Sequence, residues 1–190
     1  MPLEKVYRLC IGKYRMDILQ LSKKISGEES KYNFFLLIDA AKNYTYMRHW
    51  LTLNYDRNIK YIGNLFDGTV DDSTPLEFSP LLLNLNKLNN QKFINELVID
   101  ENLGMLSILK TNLSKYEFIK HFQPFLQAEL PSGELALFRF YDPSVIKSLN
   151  RLLDKKNLDI LLEPIDGWWY QEVSGDFKLL ERIWNGYRIY

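Results

Sequence analysis

Asp39 and Asp142 each close an apolar run, the position from which carboxylates project in many α/β folds, and with His121 they are the groups available for hydrolytic acid–base chemistry. Each aspartate also has a structural role open to it. Asp142 stands directly before Pro143, pairing an N-cap with proline at the first helical position, and Asp39 precedes a turn. Arg139 shares a face with Leu135, Leu137 and Tyr141 if the segment is a strand read with period two, so its charge needs a partner, and Asp39 is the acid expected to supply one. His49 and His121 are the two imidazoles. Glu117 and His121, one helical turn apart, have the spacing of a metal-ligand pair, but an isolated pair of this kind is ordinarily a solvated surface pair. No metal site is assigned.

The motifs of the common catalytic classes fail in turn. No Gly-x-Ser-x-Gly is present to expose a nucleophile, and no Gly-x-Gly-x-x-Gly to cradle a dinucleotide. Residues Gly63 to Thr69 have the glycine spacing of a phosphate loop but lack the lysine before the threonine, and Asp67 repels an anion there. Cys10 is alone, which excludes an intrachain disulfide and a thiolate zinc site. No catalytic residue and no cofactor is therefore assigned.

The elements that must position these side chains alternate in type. Tyr14 to Ile25 has helical spacing, and Tyr32 to Ile38 is an aromatic and aliphatic run that reads as a central strand buried on both faces. Asn43 to Leu53 reads as helix, Asn58 to Ile62 and Phe78 to Leu85 as extended, Asn89 to Val98 as helix and Met105 to Lys110 as strand. Ser114, followed three residues later by Glu117, opens a helix that Pro124 ends. Phe125 to Leu130 and Leu135 to Tyr141 flank Pro131-Ser132-Gly133 as a hairpin, placing Phe138 and Phe140 in strands, and Asp142 opens a helix to about Leu153. Trp168 to Val173 and Phe177 to Ile183 form a last hairpin. The class predicted is a mixed α+β unit: a mixed, mostly antiparallel central sheet flanked by helices and ending in a β-hairpin. With no repeat or linker, residues 1–190 read as one domain.

The chain's 190 residues are enough for a hydrophobic core, and its 24 basic and 24 acidic side chains cancel, which argues against nucleic acid as a partner. No apolar run approaches the ~20 residues that cross a bilayer, and Lys5, Arg8, Lys13 and Arg15 interrupt any N-terminal signal core, so no membrane contact and a cytoplasmic location are expected. The aromatic fraction, 14%, is high. It fits either a heavy core or a binding surface. Trp168, Trp169 and Tyr170, being consecutive, must face both sides of a strand, and one side is either solvent or partner, or both are covered. With Trp184, Tyr187 and Tyr190 they crowd the C-terminal region, where partner binding through aromatic surface is expected first.

The stretch Phe138-Arg-Phe-Tyr-Asp-Pro143 resembles the signature of the adaptor-chaperones of bacterial type VI secretion, whose shared domain is catalogued as domain of unknown function 4123. Phe35-Leu-Leu-Ile-Asp-Ala-Ala41 is similar to that family's early strand ending in Asp-Ala. Leu65-Phe-Asp-Gly-Thr69 is similar to its Leu-Phe-x-Gly-Thr turn. Ser79-Pro-Leu-Leu-Leu83 is similar to a segment usually reading Pro-Tyr-Leu, here with Leu81 for the tyrosine, and Trp168-Trp169 falls where a late tryptophan is common. The resemblance runs from about residue 34 to 170, with a short C-terminal hairpin and tail over 168–190. It implies a non-enzymatic cytoplasmic adaptor that binds a specific toxic effector and helps load it onto the VgrG spike protein. It further implies structural roles for Asp39, Phe66, Gly68, Pro80, Arg139, Tyr141, Asp142 and Pro143. A hydrolase using Asp39, Asp142 and His121, or a toxin-binding immunity or regulatory protein, is the alternative.

Overall fold

Apolar side chains at consecutive positions, rather than at alternate ones, mark a strand with protein on both sides, and Asn33–Asp39 (β1) is the strand around which the sheet is built. The computed structural model describes residues 31–58, 61–87, 96–97 and 104–180. After β1 come a short 3₁₀ turn at Ala40–Asn43, helix α1 (Tyr44–Asn58), and strands β2 (Ile62–Asn64), β3 (Pro80–Asn84) and β4 (Leu106–Thr111). Helix α2 (Lys115–Phe122) leads to a β5 (Gln127–Glu129) and β6 (Leu135–Leu137) ribbon. Three short helices follow, α3 (Pro143–Ile146), α4 (Leu149–Leu152) and α5 (Lys155–Leu162), before β7 (Ile165–Gln171) and β8 (Phe177–Leu180). The six-stranded sheet has the order β2-β3-β1-β4-β7-β8, and all its pairings are antiparallel.

Side chains alternate across this sheet and divide the core into two layers. Phe35, Leu37, Leu82, Leu109, Trp168 and Tyr170 face α2 to α5, meeting Phe118, Phe122, Ile146, Leu149 and Leu161. Phe34, Leu36, Ile38, Leu81, Ile108 and Trp169 face the other way, where α1 supplies Met47, Trp50 and Leu51. The prediction of a central strand at Tyr32 to Ile38 holds, as do the strand at Met105 to Lys110 and, within the described residues, the final hairpin. The capping box is complete, with Ser114 accepting from the Glu117 amide and the Glu117 carboxylate accepting from the Ser114 amide.

Several expectations are corrected. Residue 58 ends α1, so the strand expected from Asn58 begins instead at Ile62. The helix expected from Asp142 to about Leu153 is broken in two at Ser148, where the backbone leaves helical geometry. Helix α5 has no counterpart in the sequence reading, although Asp154 caps it by accepting from the Asn157 amide and Leu158, Leu161 and Leu162 make its buried stripe. The β5–β6 hairpin forms, but as a separate ribbon outside the main sheet. Its second strand stops at Leu137, so Phe138, Arg139 and Phe140 are not in a strand. Phe140 is still buried, and Phe138 packs half-buried at the edge of the same layer. The helix expected at Tyr14 to Ile25, most of that at Asn89 to Val98, and Cys10 lie outside the described residues.

Candidate functional site

The end of β1 and the segment after β6 meet 100 residues apart in sequence. Asp39 terminates β1, its amide donating to the Met105 carbonyl at 2.9 Å, which fixes the strand end against the start of β4. Both Asp39 oxygens accept from Arg139 Nη2, at 2.7 and 2.6 Å. The partner expected for Arg139 is therefore the one it has, although the arginine reaches it from a turn beyond β6 rather than from mid-strand. Asp142 accepts through Oδ1 from Lys42 Nζ at 2.5 Å and from the Ser144 amide and hydroxyl at 2.7 Å each. Lys42 Nζ also donates to the Gly104 carbonyl at 2.8 Å.

Two acids and two bases thus bind the 3₁₀ turn after β1, the start of β4 and the Phe138–Pro143 segment into one neutral cluster. Burial is the largest influence on Asp39 and pushes its carboxyl above the ordinary range, against the pull of the Arg139 charge. At Asp142 burial acts in the same upward direction but is outweighed by the hydrogen bonds from Lys42 and Ser144, which hold that carboxyl below its ordinary value. Burial, with the Asp39 charge, raises the Tyr141 phenol, so it stays protonated at any physiological pH. Lys42 was not singled out in the sequence. The available signal was charge balance, since two buried acids beside one arginine require a second cation.

The other motif residues serve the same joining purpose. Pro80 opens β3 opposite Asp39, a position where a strand tolerates a missing N–H, and its carbonyl accepts from the Leu65 amide. Phe66 is buried, and Gly68 has φ of 74°, the left-handed conformation that its turn requires. Three polar side chains, those of Asn64, Thr69 and Gln123, hold the turn. Asn64 Oδ1 accepts from the Phe66 amide, Thr69 Oγ1 donates to the Phe66 carbonyl, and Gln123 Nε2 donates to the Leu65 and Asp67 carbonyls, tying the turn to the end of α2. These contacts use the loop for anchoring, in a place where its glycine spacing resembled a phosphate cradle.

His121 stands apart from Asp39 and Asp142. Its ring Nε2 lies 3.2 Å from the Leu161 carbonyl of α5 and its ring meets Phe122 edge-on. Glu117 is occupied by the capping box and His49 lies exposed on α1. Among the described residues no group of three or more His, Cys, Asp or Glu is placed to hold a metal ion. A cleft of about 180 Å³ adjoins the charged cluster, lined by Lys42, Gly104, Pro143, Lys147, Tyr170 and Val173 among others.

The aromatic expectation at the C-terminal hairpin is corrected for three of its six residues. Trp168 and Tyr170 are buried against the α2–α5 layer and Trp169 against the α1 layer, because β7 lies inside the sheet between β4 and β8 with both its faces covered. Buried rings offer no partner surface. Trp184, Tyr187 and Tyr190 lie outside the described residues. Among the described residues the exposed large aromatics sit elsewhere, at Tyr44, which stacks on Phe78 with ring centres 5.1 Å apart, and at Tyr116. The available signal was local, since Tyr44, Phe78 and Tyr116 each stand between two polar residues, as Tyr116 does between Lys115 and Glu117.

No curated protein and no solved structure matches the chain. A family model does, that of the domain of unknown function DUF4123, over residues 34–159. The matched span begins in β1 and ends in α5, and contains all four members of the charged cluster, the Leu65–Thr69 turn and Pro80. The chain belongs to the DUF4123 family.

Proposed function

We propose that this protein is a cytoplasmic, non-enzymatic adaptor-chaperone of type VI secretion, which binds a specific effector and helps load it onto the VgrG spike. The reading rests on family membership together with the resemblance of the family's motifs to those of such adaptors. The observation that carries it is how the motif's polar groups are used. Asp39, Arg139, Asp142 and Lys42 neutralise one another while joining segments 100 residues apart, an arrangement that supports a rigid binding scaffold. Among the described residues, no helix is long and apolar enough to cross a membrane.

The test is genetic and biochemical. Co-expression with the toxin encoded beside it gives a stable complex, and deleting this protein stops secretion of that toxin while leaving the secretion apparatus active on other cargo. Secretion unchanged by deletion overturns the proposal. Protection of cells from the toxin by this protein alone, with secretion unaffected, assigns it instead to immunity.

A further inference from the structure

The β5–β6 ribbon has features that its position in the fold does not use. Gln127 pairs with Leu137, Ala128 with Ala136 and Glu129 with Leu135, so Gln127, Glu129, Leu135 and Leu137 share one face. Leu135 and Leu137 are 68% and 44% exposed on that face. The Phe138 amide donates to the Leu126 carbonyl and the Leu130 amide to the Glu134 carbonyl. By the alternation of an antiparallel pair, these bonds turn the main-chain N–H and C=O groups of Leu135 and Leu137 outward, along the free edge of β6. Among the described residues no third strand pairs with that edge. Proteins ordinarily blunt such edges with lysine, proline or a bulge, and Leu-Ala-Leu does none of these.

The charge of the ribbon narrows the occupant. From Gln123 to Leu137 the chain carries Glu129 and Glu134 and no Lys or Arg. A second copy of this chain would bring like charges together. We propose that β6 accepts an added strand, an extended segment of a partner protein with aliphatic side chains at alternate positions and Lys or Arg between them. Main-chain bonds to Leu135 and Leu137 supply the pairing, the two leucines extend an apolar row to the incoming aliphatic side chains, and Glu134, which alternates with Leu135 onto the opposite face, selects the basic residues between them. The identification of that partner as the effector rests on the adaptor reading above.

The full-length chain is titrated by fluorescence anisotropy with a labelled decapeptide of alternating Val and Lys, with a Val/Glu decapeptide as control. The Val/Lys peptide binds the wild type and binds at least tenfold more weakly to Leu135→Lys/Leu137→Lys and to Glu134→Lys, each verified as folded by circular dichroism. The Val/Glu peptide is at least tenfold weaker on the wild type. Absence of Val/Lys binding, equal binding of both peptides, or variants that bind as the wild type does each overturn the proposal. In cells making the effector, capture by both the wild type and Leu135→Lys/Leu137→Lys removes the ribbon as the effector's dock and leaves the adaptor reading standing. No capture by the wild type overturns the adaptor reading, and the peptide titration still decides the ribbon.

Discussion

Replacing Arg139 with alanine leaves the Asp39 carboxylate enclosed without the guanidinium that contacts both its oxygens. Removing one partner of a buried ion pair costs about 3–5 kcal/mol when both are fully enclosed. Here the Asp39 side chain is 2% exposed but that of Arg139 is 38% exposed, and Lys42 acts on Asp39 as a more distant positive charge. Solvent screening and that second cation reduce the loss to about 2–3 kcal/mol. For a chain of this size each 1 kcal/mol moves the melting temperature by roughly 2–4 °C, so Arg139→Ala melts roughly 5–10 °C below the wild type. The loss has a pH signature. Burial already presses the Asp39 carboxyl upward and Arg139 is its main counterweight. In the variant the folded-state pKa rises further, so the destabilisation is full at neutral pH and shrinks as the pH falls and Asp39 takes up a proton. Melts of Arg139→Ala, Asp39→Asn and the double variant close a cycle with a coupling of about 2 kcal/mol. An Arg139→Ala protein that melts within about 1 °C of the wild type yet no longer captures effector refutes the structural assignment and makes Arg139 a binding residue.

Gly167→Ala places a Cβ 2.8 Å from Cη2 of the Trp169 ring, which lies over the glycine on the same face of β7. The indole has to move within a covered layer, at a cost of about 1–3 kcal/mol measurable by urea denaturation. Gly133→Ala, in open space at φ of 84°, serves as a control for backbone strain without a clash. Asp142 is held below its reference value of 3.8. Its ionisation therefore stabilises the fold fully above that value, and the contribution is lost as the pH falls through the lower folded-state pKa. Urea midpoints followed from neutral pH to about pH 2 fall more steeply for the wild type than for Asp142→Asn.

Local chemistry was legible wherever one short stretch decides the outcome. Ser114 with Glu117, Asp142 with Pro143, and the unbroken apolar run of β1 each carry their instruction within a few residues, and each forms as read. The failures are of two kinds. Some are errors of boundary, as where α1 runs past its expected end at Leu53 to Asn58 and where the helix after Pro143 breaks at Ser148. Others follow from information that no local pattern holds. Period two placed Arg139 in a strand because Leu135, Leu137 and Arg139 alternate, but pairing ends at Leu137, and what fixes Arg139 is an acid 100 residues earlier. Helix α5 is a different case. Its Asp154 cap and leucine spacing were present in the sequence, next to the stronger signal of the preceding helix.

The surplus of aromatic residues is where the structure most changes the functional argument. An antiparallel sheet covered on one side needs rings on alternate positions of its strands, whereas this one is covered on both. Consecutive positions in β1 and β7 therefore carry Phe34 and Phe35, and Trp168, Trp169 and Tyr170, each pair of neighbours dividing between the two layers. The Phe122 and Phe140 rings stack 5.3 Å apart and both meet Trp168 edge-on, so the Phe138–Pro143 motif is anchored by its ring as well as by its charges. Rings used this way are unavailable to a partner. Among the described residues, packing leaves apolar surface open at several places, the Tyr44–Phe78 stack, Tyr116 and Leu135 and Leu137 of the ribbon among them. The ribbon adds unpaired main-chain groups to its exposed apolar area, and it runs directly into the motif that the charged cluster holds rigid. A strand added to β6 therefore meets an edge fixed in place before it arrives, which lowers the ordering cost of binding.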